Sequence, residues 1–121
     1  SDVCSSDLII MTARHWNAEF VWNAQSPQAK NAGIPEAVIE AIRKKQTPVF
    51  SDPDEQAVYN LFHEMYTKQS VSDATYDAAE KVVGQKGLVE LLNVAGFYGI
   101  IASIVYVTGI PVRPGQTRPF A

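Results

Sequence analysis

The chain has 121 residues, of which 46% are hydrophobic, and its formal net charge is -3. This length fits a single domain that folds around one core. The longest basic run, Arg43-Lys44-Lys45, is too short for the phosphate neutralisation of nucleic-acid binding, so we expect no nucleic-acid partner. The single cysteine, Cys4, excludes an internal disulfide and dithiol redox chemistry, and no secretory signal pattern is present, so we expect a cytoplasmic protein.

The first three predicted elements are helices. Residues 9–25 contain no Gly or Pro and repeat large apolar residues at helical spacing, which predicts one helix. Pro27 then opens a short second helix over 28–32, which stops at Gly33. A third helix over 35–45 carries its apolar residues on one stripe and ends in three cations.

Three further helices are predicted in the second half of the chain. Asp52 is positioned to cap a fourth helix over 53–68. Ser72 is positioned to cap a fifth, which stops at Gly84, and the sixth covers 87–107. No segment alternates with period two between turn signals, so the predicted fold class is all-α with about six helices.

The predicted domain covers residues 9–110, and a proline-rich tail over 111–121 is expected to be extended. The apolar segment 88–107 is long enough to raise the question of a membrane span, but it contains Glu90, which is costly in a bilayer. A helix that is apolar on all sides is more often a core helix or an oligomer contact. We therefore expect no membrane association.

The main candidate site lies on the predicted first helix. His15 and Glu19 stand at i and i+4, and Trp22 continues the same ridge, so one face carries an imidazole, a carboxylate and an indole. A neighbouring carboxylate favours the imidazolium form of His15 and would make the two residues an acid/base pair near neutral pH. The alternative is an ordinary helix ion pair, which contributes a few tenths of a kcal/mol.

Other polar residues carry weaker signals. His15 and Glu19 lack the third ligand that a metal site needs, so we expect no metal. His63 lies among apolar residues of the fourth helix, where a structural histidine is the commoner outcome, and we leave it outside the site. Glu90 and Asn93 are equally consistent with a site, a subunit contact or structural hydrogen bonds. The sequence has no nucleotide-binding motif, and we expect no cofactor.

Six segments, taken in order, resemble the carboxymuconolactone decarboxylase family. They are LIIMTARHWNAEFVW at 8–22, AKNAGI at 29–34, VIEAI at 38–42, VSDATY at 71–76, GLVEL at 87–91 and GFY at 96–98. Their order and spacing carry the resemblance, because no single segment is specific. The resemblance implies an all-α, alkylhydroperoxidase D-like bundle that forms a homo-oligomer, with part of the apolar sixth helix in the interface.

The resemblance also implies where the redox residues of the superfamily would lie. The peroxidase branch uses the pattern Cys-x-x-Cys-x-x-x-His-x-x-x-Ala, and alignment of its alanine with Ala29 places Ala18 and Val21 at the cysteine positions. The same alignment places Gln25 at the histidine position. The thiol pair is absent, so peroxidase activity is the remotest of the functions considered.

The decarboxylase-like branch implies cofactor-free acid/base chemistry on a small carboxylated lactone or related acid. Six residues would form its site, three of them catalytic and three substrate-binding: His15, Glu19 and Gln25, and then Trp16, Phe20 and Trp22. Glutamine cannot shuttle a proton at neutral pH, so His15 would have to replace the family histidine. The rival hypothesis is a non-catalytic oligomeric or ligand-binding protein that lost its activity with this substitution.

Residues 2–8, DVCSSDL, resemble the translation of a common sequencing adapter. We therefore predict that residues 1–8 are a non-native tail and that the N-terminal helices of the natural chain are missing. The family pattern also has a glutamate one helix length upstream of its cysteines, which would fall near Asp7, a position that now shows an adapter residue. Without Asp2 and Asp7 the chain loses two negative charges, and its formal charge changes from -3 to -1.

Overall fold

The computed structural model describes residues 2–121, with side chains from Val3 onward. Five helices follow one another: α1 (Asp2–His15), α2 (Glu19–Asn31), α3 (Glu36–Arg43), α4 (Pro53–Lys68) and α5 (Asp73–Thr108). No residue from 2 to 121 forms a β-strand. The all-α prediction is confirmed, and the predicted count of about six helices is close.

α1 is the central helix, and it packs against each of the other four. Its side chains at Leu8, Ile10 and Ala13 have no exposed surface, because helices cover α1 on several sides. Residues 2–8 form the first two turns of α1. Their non-native origin stays a prediction, which resequencing of the gene upstream of Ile9 tests.

The predicted single helix over 9–25 is wrong, because α1 ends at His15 and α2 begins at Glu19. Asn17 has a left-handed backbone with φ of 55°, and the N–H of Ala18 donates to the carbonyl five residues earlier at 2.8 Å. This is a Schellman-type helix end, with asparagine at the position that glycine commonly takes. His15 and Glu19, which the sequence predicts as an acid/base pair on one helix, therefore lie on different helices.

The predicted short helix over 28–32 is also wrong. α2 continues through Pro27 to Asn31, although an internal proline costs about 3 kcal/mol. Buried Trp22 before the proline and buried Ala29 after it keep both halves of α2 against the core. Packing therefore outweighs the local helix-breaking signal.

The next two helices lie where the sequence places them. The predicted helix over 35–45 is observed as the slightly shorter α3, with Pro35 at its N-cap. α4 has the predicted bounds, and a side-chain oxygen of Asp52 accepts a hydrogen bond from the N–H of Asp54 at 2.9 Å. Burial of Phe62 and Leu61 fixes α4 against the core.

α5 combines the predicted fifth and sixth helices. The Ser72 hydroxyl accepts a hydrogen bond from the N–H of Thr75 at 3.3 Å, so the predicted cap is confirmed. Gly84, the predicted stop, has φ of 73° and ψ of 170°, a conformation outside the helical region. The helix is kinked at this glycine and then continues to Thr108.

The part of α5 beyond the kink has a buried side and an exposed apolar side. Leu88, Leu91, Ala95 and Ala102 are buried, and α5 packs against α1 and α4. The opposite side, which we name the apolar face of α5, consists of exposed residues that share one stripe of the helix: Val89, Leu92, Phe97, Ile100, Ile104 and Val107. By length and composition α5 could cross a membrane, and 28% of its most apolar window is buried.

The C-terminal tail contains no helix after Thr108 and lies along α2 and α3. The Asn23 amide donates to the carbonyl of Thr117 at 2.9 Å, and Arg43 Nη1 donates to the carbonyl of Pro119 at 2.8 Å. These bonds hold an irregular segment that has no secondary structure of its own to satisfy its carbonyls.

Candidate functional site

A cleft of about 330 Å³ lies between the C-terminal ends of α1 and α3 and one face of α4. We name it the histidine cleft. Its floor is apolar, since Met11, Ile42 and Tyr59 are buried. Its rim is polar, and most of the rim side chains are exposed: Arg14, His15, Lys45, Gln46, Thr47, His63, Tyr66 and Thr67. An apolar floor under a few polar groups is typical of small-molecule sites.

Two imidazole rings stand on the rim, each stacked on a tyrosine. The ring centroids of His15 and Tyr66 are 4.3 Å apart with an interplanar angle of 26°. Those of Tyr59 and His63 are 5.6 Å apart with an angle of 18°, and the Tyr59 hydroxyl lies 3.5 Å from His63 Nδ1. The stacking fixes the direction in which each imidazole presents its nitrogens.

His15 is the last residue of α1, and its ring is exposed on one side. Partial burial and the nearby charge of Lys45 lower the pKa of His15 below its ordinary value of 6.5. This direction is opposite to the prediction that a carboxylate would favour the imidazolium form. At neutral pH His15 is therefore a neutral imidazole that can accept a proton.

The Tyr66 hydroxyl is held by a hydrogen bond behind the rim. It lies 2.6 Å from Thr12 Oγ1, which itself donates to the carbonyl of Leu8 at 2.8 Å. Because Thr12 has one hydroxyl proton and has committed it, Tyr66 is the donor in this pair. Burial raises the pKa of Tyr66 above its ordinary value, so the phenol is neutral and its oxygen can still accept a hydrogen bond.

The two cations on the rim differ in their partners. Arg14 Nε donates to the carbonyl of Arg43 at 2.7 Å, and Arg14 Nη1 donates to Asn17 Oδ1 at 2.8 Å. The Arg14 guanidinium also lies 4.1 Å from the ring centroid of Phe120. Lys45, in contrast, makes no salt bridge with the side chains described, those of residues 3–121. Its ammonium is the rim cation available to a ligand.

Glu19, predicted as the carboxylate partner of His15, is used by the tail. Its carboxylate accepts a hydrogen bond from Arg118 Nε at 2.9 Å and another from the N–H of Phe120 at 3.1 Å. The predicted i and i+4 pairing with His15 is wrong, because the helix breaks at Asn17. Glu19 does not line the histidine cleft.

Gln25 and the three predicted substrate-binding aromatics also lie outside the cleft. Gln25 is half-buried in a separate groove between α1 and α2. Trp22 is 3% exposed and packs edge-on against Phe120, so it is a core residue. Phe20 lies under the guanidinium of a tail arginine. Trp16 alone touches the site, with its ring edge-on to His15 at a centroid distance of 5.5 Å.

Sequence reasoning missed His63, which is exposed on the rim and not a structural histidine inside the core. A signal was present, because Tyr59, His63 and Tyr66 follow one another at i, i+4 and i+7 and so share one face of α4. Lys45 was read only as a helix-dipole cation. The ends of α1 and α3 come to lie beside this face of α4 through tertiary packing, which no local sequence pattern indicates.

Within residues 2–121, no group of three or more His, Cys, Asp or Glu side chains is arranged to hold a metal ion. Glu90 and Asn93, which were left open, are exposed on α5, and Asn93 Nδ2 donates to the carbonyl of Val89 at 3.0 Å. Comparisons of the chain with protein-family models, curated proteins and solved structures give no match.

Proposed function

We propose that this chain binds a small carboxylated molecule in the histidine cleft and catalyses a cofactor-free acid/base reaction of the decarboxylase type. The observation that carries the proposal is the pair of imidazoles, His15 and His63, above an apolar floor and beside the unpaired ammonium of Lys45. The reaction type comes from the resemblance to the carboxymuconolactone decarboxylase family, as does an alkylhydroperoxidase D-like bundle. A cavity near 330 Å³ suits a small substrate.

The chemistry needs one proton transfer and no cofactor. As carbon dioxide leaves, the C–C bond breaks and its electron pair stays on the substrate, where a neighbouring carbonyl can take it up as an enolate. A proton then adds to the carbon skeleton. His15, neutral at pH 7, accepts this proton from water and passes it to the carbon, and the hydroxide that remains combines with carbon dioxide as bicarbonate. His63, which also lines the cleft, is a second group that can relay the proton, while Tyr66 accepts a hydrogen bond and orients the substrate.

This proposal keeps His15 from the predicted catalytic set and replaces Glu19 and Gln25. Glu19 is engaged by Arg118 and the tail backbone, and Gln25 lies in another groove. A general base must reach the proton that it abstracts within hydrogen-bond distance or through one water. Residues outside the cleft cannot meet that condition for a substrate bound inside it.

The test is turnover, followed as the loss of carboxymuconolactone absorbance. His15→Ala is expected to lower kcat/KM by about 10²–10⁴-fold, the usual contribution of a general acid or base. Glu36→Gln, a change in an exposed ion pair with Lys30, is the control and should leave turnover unchanged. Full activity in His15→Ala would exclude the proposed role. If the chain binds benzoate, a small carboxylate that serves as a probe, but shows no turnover, the non-catalytic ligand-binding alternative is favoured.

We also propose that the chain forms a homo-oligomer through the apolar face of α5. Six large apolar side chains exposed at 45 to 77% would cover on the order of 600 Å² per copy, close to a standard interface of about 800 Å². The opposite side of α5 covers α1 and α4, and a helix in a bilayer would have to give up that packing. A second copy is therefore the favoured occupant, in a cytoplasmic protein without membrane association.

A further inference from the structure

Lys45 holds an unfavourable backbone conformation at the edge of the histidine cleft. It follows α3 with φ of 57°, and the N–H of Gln46 donates to the carbonyl of Ala41 at 2.8 Å. This is a Schellman-type helix end, in which the left-handed residue is commonly glycine. A long side chain here is disfavoured by contact between Cβ and the following carbonyl. Asn17 and Gln69 have the same conformation at the ends of α1 and α4, so the conformation marks a helix end, and the case for Lys45 depends on its charge and its place in the cleft.

The three consecutive cations at the end of α3 differ in whether they have a carboxylate partner. Its two predecessors at the end of α3 both contact one carboxylate, with Arg43 Nε 2.9 Å and Lys44 Nζ 3.8 Å from oxygens of Glu40. Lys45 has no such partner among the side chains from Val3 onward and lines the cleft instead. Of three consecutive cations, the one in the disfavoured conformation is thus the one that faces the cleft without a counter-ion.

We propose that Lys45 is the specificity-determining residue of the histidine cleft, whose ammonium binds the anionic group that the substrate retains. The inference rests on the proposed function and deepens it. With the retained anion at Lys45, the carboxylate that leaves lies over the apolar floor of Met11, Ile42 and Tyr59. A departing carboxylate loses its charge, so an apolar surface favours its loss, whereas a cation paired with it would hold it back.

The variant Lys45→Gly tests the backbone conformation and the ammonium by two separate measurements, Tm and benzoate affinity. Glycine relieves the left-handed conformation, so Tm should rise by about 2–6 °C, while benzoate affinity should fall by about 10-fold. Gln69→Gly is the matched backbone control, because Gln69 has φ of 54° at the end of α4, outside the cleft. It should raise Tm without changing benzoate affinity. Lys44→Ala, the charge control, should leave benzoate affinity unchanged.

The probe is benzoate, titrated against the unmodified chain and each variant by isothermal calorimetry, with benzamide as the uncharged analogue. Weaker benzoate binding in Lys45→Gly, together with equal benzamide binding in both chains, supports the inference. Equal benzoate affinity in Lys45→Gly and the unmodified chain overturns it, and so does the absence of benzoate binding in the unmodified chain. A lower Tm in Lys45→Gly would overturn the argument from strain.

Turnover tests the orientation and the proposed function separately. If Lys45 binds the retained anion, Lys45→Gly raises KM by about 10-fold and does not raise kcat. A higher kcat would mean that Lys45 holds the departing carboxylate, which contradicts the inference but not the proposed function. No turnover in the unmodified chain would overturn the proposed function, while the benzoate titration would still decide whether Lys45 captures an anion.

Discussion

The histidine cleft and the apolar face of α5 use exposed surface in opposite ways. In the cleft the exposed groups are ionisable and the apolar atoms lie beneath them. On the apolar face of α5 the exposed groups are apolar, and residues 91–108 contain no charged side chain. The first arrangement suits a small ion and the second suits a protein surface. Tyr66 and Trp16 join the two regions, because a groove on α5 is bordered by both residues.

The largest expected effect is on assembly. Ile100 is 62% exposed near the centre of the apolar face of α5, so Ile100→Glu would bury an unpaired carboxylate in the proposed interface. Such a charge costs about 3–5 kcal/mol, which predicts an oligomer weakened by at least about 100-fold. Light scattering after size-exclusion chromatography, over a range of concentrations, measures this change.

Ala37→Glu is the control for assembly, because it adds the same charge to an exposed position of α3, which does not pack against α5. It should leave the oligomer intact. A monomeric unmodified chain, or equal behaviour of the two variants, would contradict the role of this face. Binding of the unmodified chain to vesicles would assign the face to lipid and not to a second copy.

The next largest effect is a pH dependence of stability that comes from Asp7, a buried residue near Tyr59 in the floor of the cleft. Asp7 is 4% exposed, its Oδ1 has no hydrogen-bond partner, and burial together with the charge of Glu55 raises its pKa from 3.8 to about 7. Between these values the folded chain keeps a proton that the unfolded chain releases. The free energy of unfolding therefore falls as pH rises from about 4 to 7.

Asp7→Asn removes this titration. It should be close to neutral at pH 4 and should stabilise the chain above pH 7, by up to about 4 kcal/mol if the whole pKa difference is realised. Urea unfolding at pH 4 and pH 8 gives both values. Equal effects of the substitution at the two pH values would show that the pKa of Asp7 is the same in the folded and the unfolded chain, which contradicts the prediction.

A smaller effect concerns the tail. Glu19→Gln keeps the shape of the side chain but weakens the charge-assisted bonds from Arg118 and the N–H of Phe120. We expect a loss of about 1–2 kcal/mol in stability and faster proteolysis after Thr108, with kcat/KM changed by less than about 3-fold. A loss of turnover as large as that of His15→Ala would restore Glu19 to the catalytic set.

The helices with strong end signals were predictable from the sequence, and the region around α2 was not. Asp52 and Ser72 mark the starts of α4 and α5 by accepting hydrogen bonds from backbone N–H groups, and Pro53 has the fixed φ that suits the first position of α4. The end of α1 depends on Asn17 in a left-handed conformation, for which asparagine is a weaker signal than glycine. Pro27 misled the prediction, because burial of Trp22 and Ala29 holds α2 together across it.

The same error dispersed the predicted site. A single helix would have aligned His15 with Glu19 and Trp22, whereas the break after His15 sends these residues to the cleft, the tail and the core. His63 was undervalued, because the apolar neighbours that suggested a core position face away from its exposed side. Lys45 reaches the cleft only because α3 ends there, which periodicity along one helix cannot indicate.

The smallest expected effect tests whether catalysis occurs in the histidine cleft or in the groove around Gln25, the residue that the family alignment points to. Gln25→His restores the residue type that the resemblance places at this position, but the side chain lies in the groove lined by Ser5, Ile9 and Gln28. We expect turnover within about 2-fold of the unmodified chain and a stability change within about 0.5 kcal/mol. In a His15→Ala background, Gln25→His should not restore activity. A gain of 10-fold or more in either background would mean that catalysis occurs in that groove. The histidine cleft would then be a binding site alone.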